Sequence, residues 1–205
     1  MELYIIRHGQ TVWNRERKLQ GSTDIELTEE GKRLARVTGE NLCGLTFDQV
    51  FASPLKRAKL TAELIHMGKE VKIETDERLR EVSFGEFEGL NVDEMLNNEE
   101  CGFYHFFDRP ELYQPAEHGE KLEDVILRGK DFLEEKILPL EGKAQRVMIV
   151  AHGAMNKALL AAMLHREIKD FWQGNLQKNL GASIVQLKEG KFTLIKDGIV
   201  FYESV

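Results

Sequence analysis

Two short runs share one ending. LYIIRHG (Leu3–Gly9) and VMIVAHG (Val147–Gly153) each carry an apolar stretch into a histidine followed by a glycine. A third apolar run, 48–52, leads into Ser53-Pro54-Leu55-Lys56-Arg57. These residue types suit the capture of a phosphoryl dianion. A neutral imidazole, here His8, attacks phosphorus through one nitrogen when a hydrogen bond fixes the other. Arg7 and Arg57 bring forked N–H donors that match phosphoryl oxygens, and His152 adds a cationic counterpart for charge that develops on them. The N-terminus of the helix carrying Arg57 adds favourable partial charge. Glycine after each histidine lets the backbone approach a ligand.

A departing alkoxide needs a proton. Glu81, within RLREVSFGEFEG (Arg78–Gly89), is the candidate acid, with an apolar flank expected to raise its pKa. Glu86 and Glu88 lie close enough in sequence to compete for the role. His8, His152 and Glu81 are also zinc-ligand types, but Arg7 and Arg57 at the same place repel a cation. Neither a metal nor another cofactor is therefore expected. His66, His105, His118 and His165 have no comparable context and read as structural.

For these residues to meet, the three apolar runs must be neighbouring strands whose carboxyl ends face one crevice. Periodicity predicts strands at 3–6, 48–52, 71–74 and 147–151, and helices at about 28–44, 54–67, 120–137 and 154–164. Such alternation implies an α/β fold with a mostly parallel sheet covered on both faces. Thr28 suits the start of the first long helix, and Ser53 with Pro54 suits the start of the second. Residues 182–187 and 192–195 around Glu189-Gly190 read as a hairpin at a sheet edge. Residues 88–118, rich in aromatics and too long for an ordinary connection, read as a lid or small subdomain inserted in one domain spanning 1–205. An additional pair of surface helices with its own apolar patch fits that segment equally well.

The 205-residue chain is 42% hydrophobic, enough for a sizeable core, and its formal charge of −7 disfavours nucleic acid and anionic membranes as partners. No stretch reaches the roughly 20 apolar residues of a membrane span. No secretory leader is read at the N-terminus. Cys43 and Cys101 lack metal or disulfide spacing and read as reduced thiols of a cytoplasmic protein.

The segments LYIIRHGQTVWN, LQGSTDIELTEEGKRLA, FASPLKRAKLTAELI, RLREVSFGEFEG and VAHG, in this order, resemble the histidine phosphatase superfamily in its phosphoglycerate mutase-like branch. The likeness runs from about residue 3 to 165. It implies a three-layer α/β/α sandwich with a helical lid insertion and a phosphohistidine on His8. It also implies that Arg7, Arg57 and His152 hold the phosphoryl group, that Glu81 is proton donor and later base, and that Asn14, Gln20 and Gly21 line the phosphate and substrate pocket. The expected partner is a small phosphorylated substrate, with the oligomeric state left open. Three positions depart from the pattern: Gln10 where glutamate is frequent, Lys157 where arginine is frequent, and Lys121 in a segment, Glu117–Glu123, that otherwise resembles substrate-contacting residues. Arg15, Arg17 and Lys18 are candidates to widen the positive field at the pocket mouth. The expected activity is phosphomonoester hydrolysis. The alternatives are a 2,3-bisphosphoglycerate-dependent phosphoglycerate mutase and a non-catalytic phospho-ligand binding module, and the single lid arginine, Arg109, argues against the mutase.

Overall fold

A computed structural model describes residues 1–203. In chain order the elements are β1 (Glu2–Arg7), α1 (Val12–Arg15), α2 (Glu29–Asn41), β2 (Gln49–Ala52), α3 (Lys56–His66), β3 (Ile73–Thr75), α4 (Val92–Leu96), α5 (Leu122–Phe132), β4 (Arg146–Ala151), α6 (Gly153–Leu164), β5 (Ala182–Lys188) and β6 (Lys191–Ile199). The six strands form one sheet in the order β3-β2-β4-β1-β5-β6. The first four run parallel, while β5 and β6 close one edge as an antiparallel hairpin. Its turn, Glu189-Gly190, has positive φ at both residues (53° and 72°), the twist that tight hairpins favour.

Side chains alternate along each strand, and here both faces are buried. Leu3, Ile5, Phe51, Val147 and Ile149 pack on one side with Phe132 of α5 and Met155 and Leu159 of α6. Tyr4, Ile6, Val50, Met148 and Val150 pack on the other with Ala35 of α2 and Ala58, Ala62 and Ile65 of α3. Two cores on one sheet make the three layers.

Thr28 caps α2 as expected, its hydroxyl accepting from the Gly31 N–H at 2.9 Å. The start of α3 differs from the sequence expectation. It begins at Lys56, not at Pro54, and Ser53 does not cap it. The Asp24 carboxylate accepts from the Lys56 N–H instead, at 3.0 Å, which leaves the Ser53 hydroxyl for another partner. The segment 88–118 is mostly turns, with the five-residue α4 and a single 3-10 turn at Pro110–Leu112. No helix pair forms there, and there is no separate apolar patch, because Phe103 and Phe106 are fully buried in the core that α5 and α6 share. No helix among the described residues is long and apolar enough to cross a membrane.

Candidate active site

The three strands with reactive ends, β2, β4 and β1, are consecutive in the sheet, and their register aligns those ends. Arg7 lies beside Ala151, and Ala52 beside Val150. The ladder then runs one step further, with the His8 N–H donating to Ala151 O at 3.0 Å and the Ser53 N–H to Val150 O at 3.0 Å. Beyond these ends opens a pocket of about 330 Å³ whose polar lining includes Arg7, His8, Asn14, Gln20 and Glu81. Arg57 and His152 are buried behind it, the His8 and His152 ring centroids being 5.2 Å apart.

Each ring has a defined proton. His8 Nδ1 is 2.7 Å from Gly9 O, a group that only accepts, so Nδ1 carries the hydrogen and the Nε2 lone pair is free. Burial, and then the Arg57 and Arg7 charges, hold the His8 pKa well below the ordinary imidazole value, so the ring is neutral. His152 Nε2 lies 2.7 Å from Ser53 Oγ, the hydroxyl that does not cap α3. That hydroxyl accepts from the Leu55 N–H at 3.3 Å, and His152 Nε2 is the one acceptor its own proton reaches among the described residues, so the His152 hydrogen is assigned to Nδ1. The sequence reading of His152 as a cation is overturned. Burial, followed by Arg57, His8, Arg128 and Arg7, pushes its pKa well down, which makes it a neutral N–H donor.

Both arginines are anchored through one edge of the guanidinium. Arg7 Nη1 donates to Gln177 O at 2.8 Å, while Arg57 donates from Nη1 to Thr23 O at 2.9 Å and from Nη2 to Gly21 O at 2.7 Å. Burial lowers the Arg57 pKa to about 10, and burial lowers that of Arg7, yet both keep their charge near neutral pH. Four buried, proton-bearing nitrogens at this place have no protein acceptor among the described residues: Arg7 Nε, Arg57 Nε, His152 Nδ1 and Gln20 Nε2. An unpaired buried donor costs about 1–3 kcal/mol. A bound oxyanion removes that cost.

Glu81 occupies a setting unlike the apolar flank expected. Its carboxylate accepts from Ala154 N–H at 3.2 Å, from Met155 N–H at 2.9 Å and from Val82 N–H at 3.1 Å, because its loop ends against the first turn of α6. Geometry also separates it from its two competitors. Glu86 is exposed, and Glu88 accepts from Ser22 N–H at 2.7 Å and Thr23 N–H at 2.8 Å, holding the loop whose carbonyls grip Arg57. Gly21 acts in that same way, through its carbonyl, and does not line the pocket. A side chain there would press within 2.5 Å of Val82 O.

Of the two post-histidine glycines, Gly153 lines the pocket as the reading expects, while Gly9 differs from it. A Cβ at Gly9 would lie 3.1 Å from Gly31 O, so that glycine admits the start of α2, whereas at Gly153 the near groups are Arg7 and Glu81 of the site. The helix-end contribution expected at Arg57 is taken by Asp24 at the α3 terminus. Arg17 and Lys18 line the pocket and Arg15 does not, while the segment Glu117–Glu123 lies outside it. Glu120 of that segment holds Arg128, whose guanidinium also donates to the carbonyls of Arg78, Arg80 and Glu81 and so fixes the Glu81 loop.

Sequence reading missed Arg128, Ser53 as the partner of His152, and everything between 165 and 181. That stretch supplies Gln177, Asn179 and pocket residues Trp172 and Leu176. Asn179 ties His8 O to Asn14 Oδ1, both at 3.1 Å. No periodic signal marks such a loop.

The neutral histidines make stability depend on pH. Below about pH 6.5 the unfolded chain protonates them while the folded chain does not, so the unfolded state binds more protons and stability falls on acidification. Each contributes about 1 kcal/mol of loss between about pH 6 and about pH 5. Urea denaturation at both pH values measures it, and His8→Ala is expected to make the loss shallower by one such share. An equal loss in both proteins would contradict a buried neutral His8.

A family model described as histidine phosphatase superfamily (branch 1) matches residues 3–198. Phosphoserine phosphatase 1 of Hydrogenobacter thermophilus is 29% identical over 196 residues, covering 96% of this chain and 91% of that protein. A 2,3-bisphosphoglycerate-dependent phosphoglycerate mutase of Gloeobacter violaceus is 34% identical over 166 residues, covering 80% and 75%. The solved structure of YhfR from Bacillus stearothermophilus superposes with a TM-score of 0.88 at 32% identity, covering 98% and 99%.

Proposed function

The chain belongs to the histidine phosphatase superfamily, branch 1, and from that premise we propose a phosphomonoester hydrolase that works through a phosphohistidine on His8. One observation carries the reading: four unaccepted buried donors surround a histidine whose Nε2 lone pair is free. Three phosphoryl oxygens take hydrogen bonds from Arg7, Arg57, His152 and Gln20, with Asn14 beside them. The Nε2 lone pair forms a bond to phosphorus while the ester P–O bond breaks, its electron pair leaving with the alcohol oxygen. Protonated Glu81 gives that oxygen its proton. The resulting carboxylate then takes a proton from water as the water oxygen attacks phosphorus. The P–N bond breaks, its pair returns to Nε2, and inorganic phosphate departs. Glu81 recovers its proton in the same step.

The substrate is a small phosphorylated compound, and the free thiols of Cys43 and Cys101 suit a reducing cytoplasm. The segment 88–118 acts as the lid, through Phe106 and Phe107 on the pocket. Arg109, the single arginine of that segment, is bonded to His105 and does not line the pocket, which leaves no lid arginine there to hold the carboxylate of a mutase substrate. Product analysis separates the readings. With p-nitrophenyl phosphate and EDTA, equal amounts of nitrophenol and inorganic phosphate are expected. With 3-phosphoglycerate and 2,3-bisphosphoglycerate, rapid formation of 2-phosphoglycerate with little free phosphate would establish the mutase. Tight phosphate binding without turnover of either would leave only the binding module.

A further inference from the structure

The pocket beyond the phosphoryl site has two unequal properties. Its far lining is apolar, formed by Leu19, Leu96, Phe106, Phe107, Trp172 and Leu176. Phe107 and Leu176 remain 37% and 61% exposed, an apolar surface kept in water at the mouth of a charged site. The wall is also fixed in place. The Trp172 ring packs 5.2 Å from Phe106 and 4.9 Å from Phe107, and its indole N–H donates to Phe106 O. No indole hydrogen is left for a ligand, so the ring has only apolar surface to offer.

The cations at the mouth are already paired. Arg17 is bound through Nε and Nη2 to the Asp93 carboxylate, and Lys18 Nζ lies 2.9 Å from Glu16. Among the described residues lining the pocket, the remaining cationic side chain is Arg7, which belongs to the phosphoryl site. A second carboxylate on a substrate would lose water against apolar rings, and the exposed Arg17 and Lys18 at the mouth would have to leave an acidic partner to meet it.

We propose that this site selects phosphomonoesters whose alcohol part is apolar, and discriminates against those carrying a carboxylate, such as phosphoserine. The inference rests on the phosphatase reading above and narrows its substrate class. It sets this chain apart from the relative named for phosphoserine, despite a similarity that covers 96% of this chain.

The test compares kcat/KM for 2-phenylethyl phosphate, ethyl phosphate and O-phosphoserine. All three release a primary alcohol, so the demand for a proton from Glu81 is matched. The phenylethyl ester is expected to exceed phosphoserine by at least about tenfold. Trp172→Ala is expected to lower the phenylethyl value about tenfold while ethyl phosphate stays within about twofold, a split that a general folding defect would not produce. Leu176→Ala, at an exposed position, gives the same split at about threefold. Asp93→Asn frees Arg17 and raises phosphoserine turnover several-fold, with the phenylethyl ester unchanged. Phosphoserine turned over as well as the phenylethyl ester, or equal losses for long and short esters in both wall variants, would overturn the proposal. If no ester is hydrolysed, p-nitrophenyl phosphate included, the phosphatase reading itself fails and the selectivity falls with it.

Discussion

His8→Ala is expected to lower kcat for every phosphomonoester by on the order of 10⁴-fold, while the protein still folds and still binds inorganic phosphate. The separation of chemistry from binding follows from the geometry. His8 supplies the only uncommitted imidazole lone pair at the site, since His152 has its Nε2 bonded to Ser53. Arg7 and Arg57 hold their places through Gln177, Gly21 and Thr23 carbonyls, none of which depends on the His8 side chain. Rapid quenching in base of wild-type enzyme with ³²P-labelled substrate is expected to trap label on the protein, stable to alkali and lost in acid, as a P–N bond requires. The alanine variant should trap none. A residual rate within about tenfold of wild type would move the nucleophile elsewhere.

Glu81→Gln carries the second large effect, and its signature is dependence on the leaving group. An alkoxide cannot depart without a proton, so kcat/KM for alkyl phosphates should fall by roughly 10²- to 10⁴-fold. Nitrophenolate leaves unaided, so kcat/KM for p-nitrophenyl phosphate should fall far less. The second step still lacks its base, and p-nitrophenyl phosphate should show a burst as the phosphohistidine accumulates. Glutamine keeps the shape of Glu81 but loses one acceptor for the Ala154 and Met155 N–H groups, so thermal stability is followed alongside. Glu88→Gln is the control. Its carboxylate holds Ser22 and Thr23 and not the substrate, so it should weaken all esters alike. The same loss for aryl and alkyl esters in Glu81→Gln would remove the acid role.

Most of the sheet is legible in the amino-acid sequence. Buried parallel strands read as apolar runs, and β1, β2 and β4 stand out because both of their faces are covered. The hairpin was legible from Glu189-Gly190, although β6 runs to nine residues, beyond the four read from its pattern. Its edge strand alternates burial and mixes in polar residues, which dilutes the apolar signal. The start of α3 was misread because Pro54 is a good first helical residue, yet Asp24, distant in sequence, caps the helix at Lys56.

His8, Arg7, Arg57, His152 and Glu81 are fixed in kind by the sequence, because strand ends, a helix start and an adjacent glycine are local features. Which of them is charged is not local. The neutrality of His152 comes from burial beside Arg57 and a hydroxyl ninety-nine residues away in the chain. The setting of Glu81 comes from the first turn of α6, and the pairing of Arg17 from Asp93 on α4. Residue types and spacing determine which chemistry is available. The tertiary structure decides protonation, orientation and the apolar wall, since dielectric, hydrogen-bond partners and pocket shape exist only once remote segments have packed together.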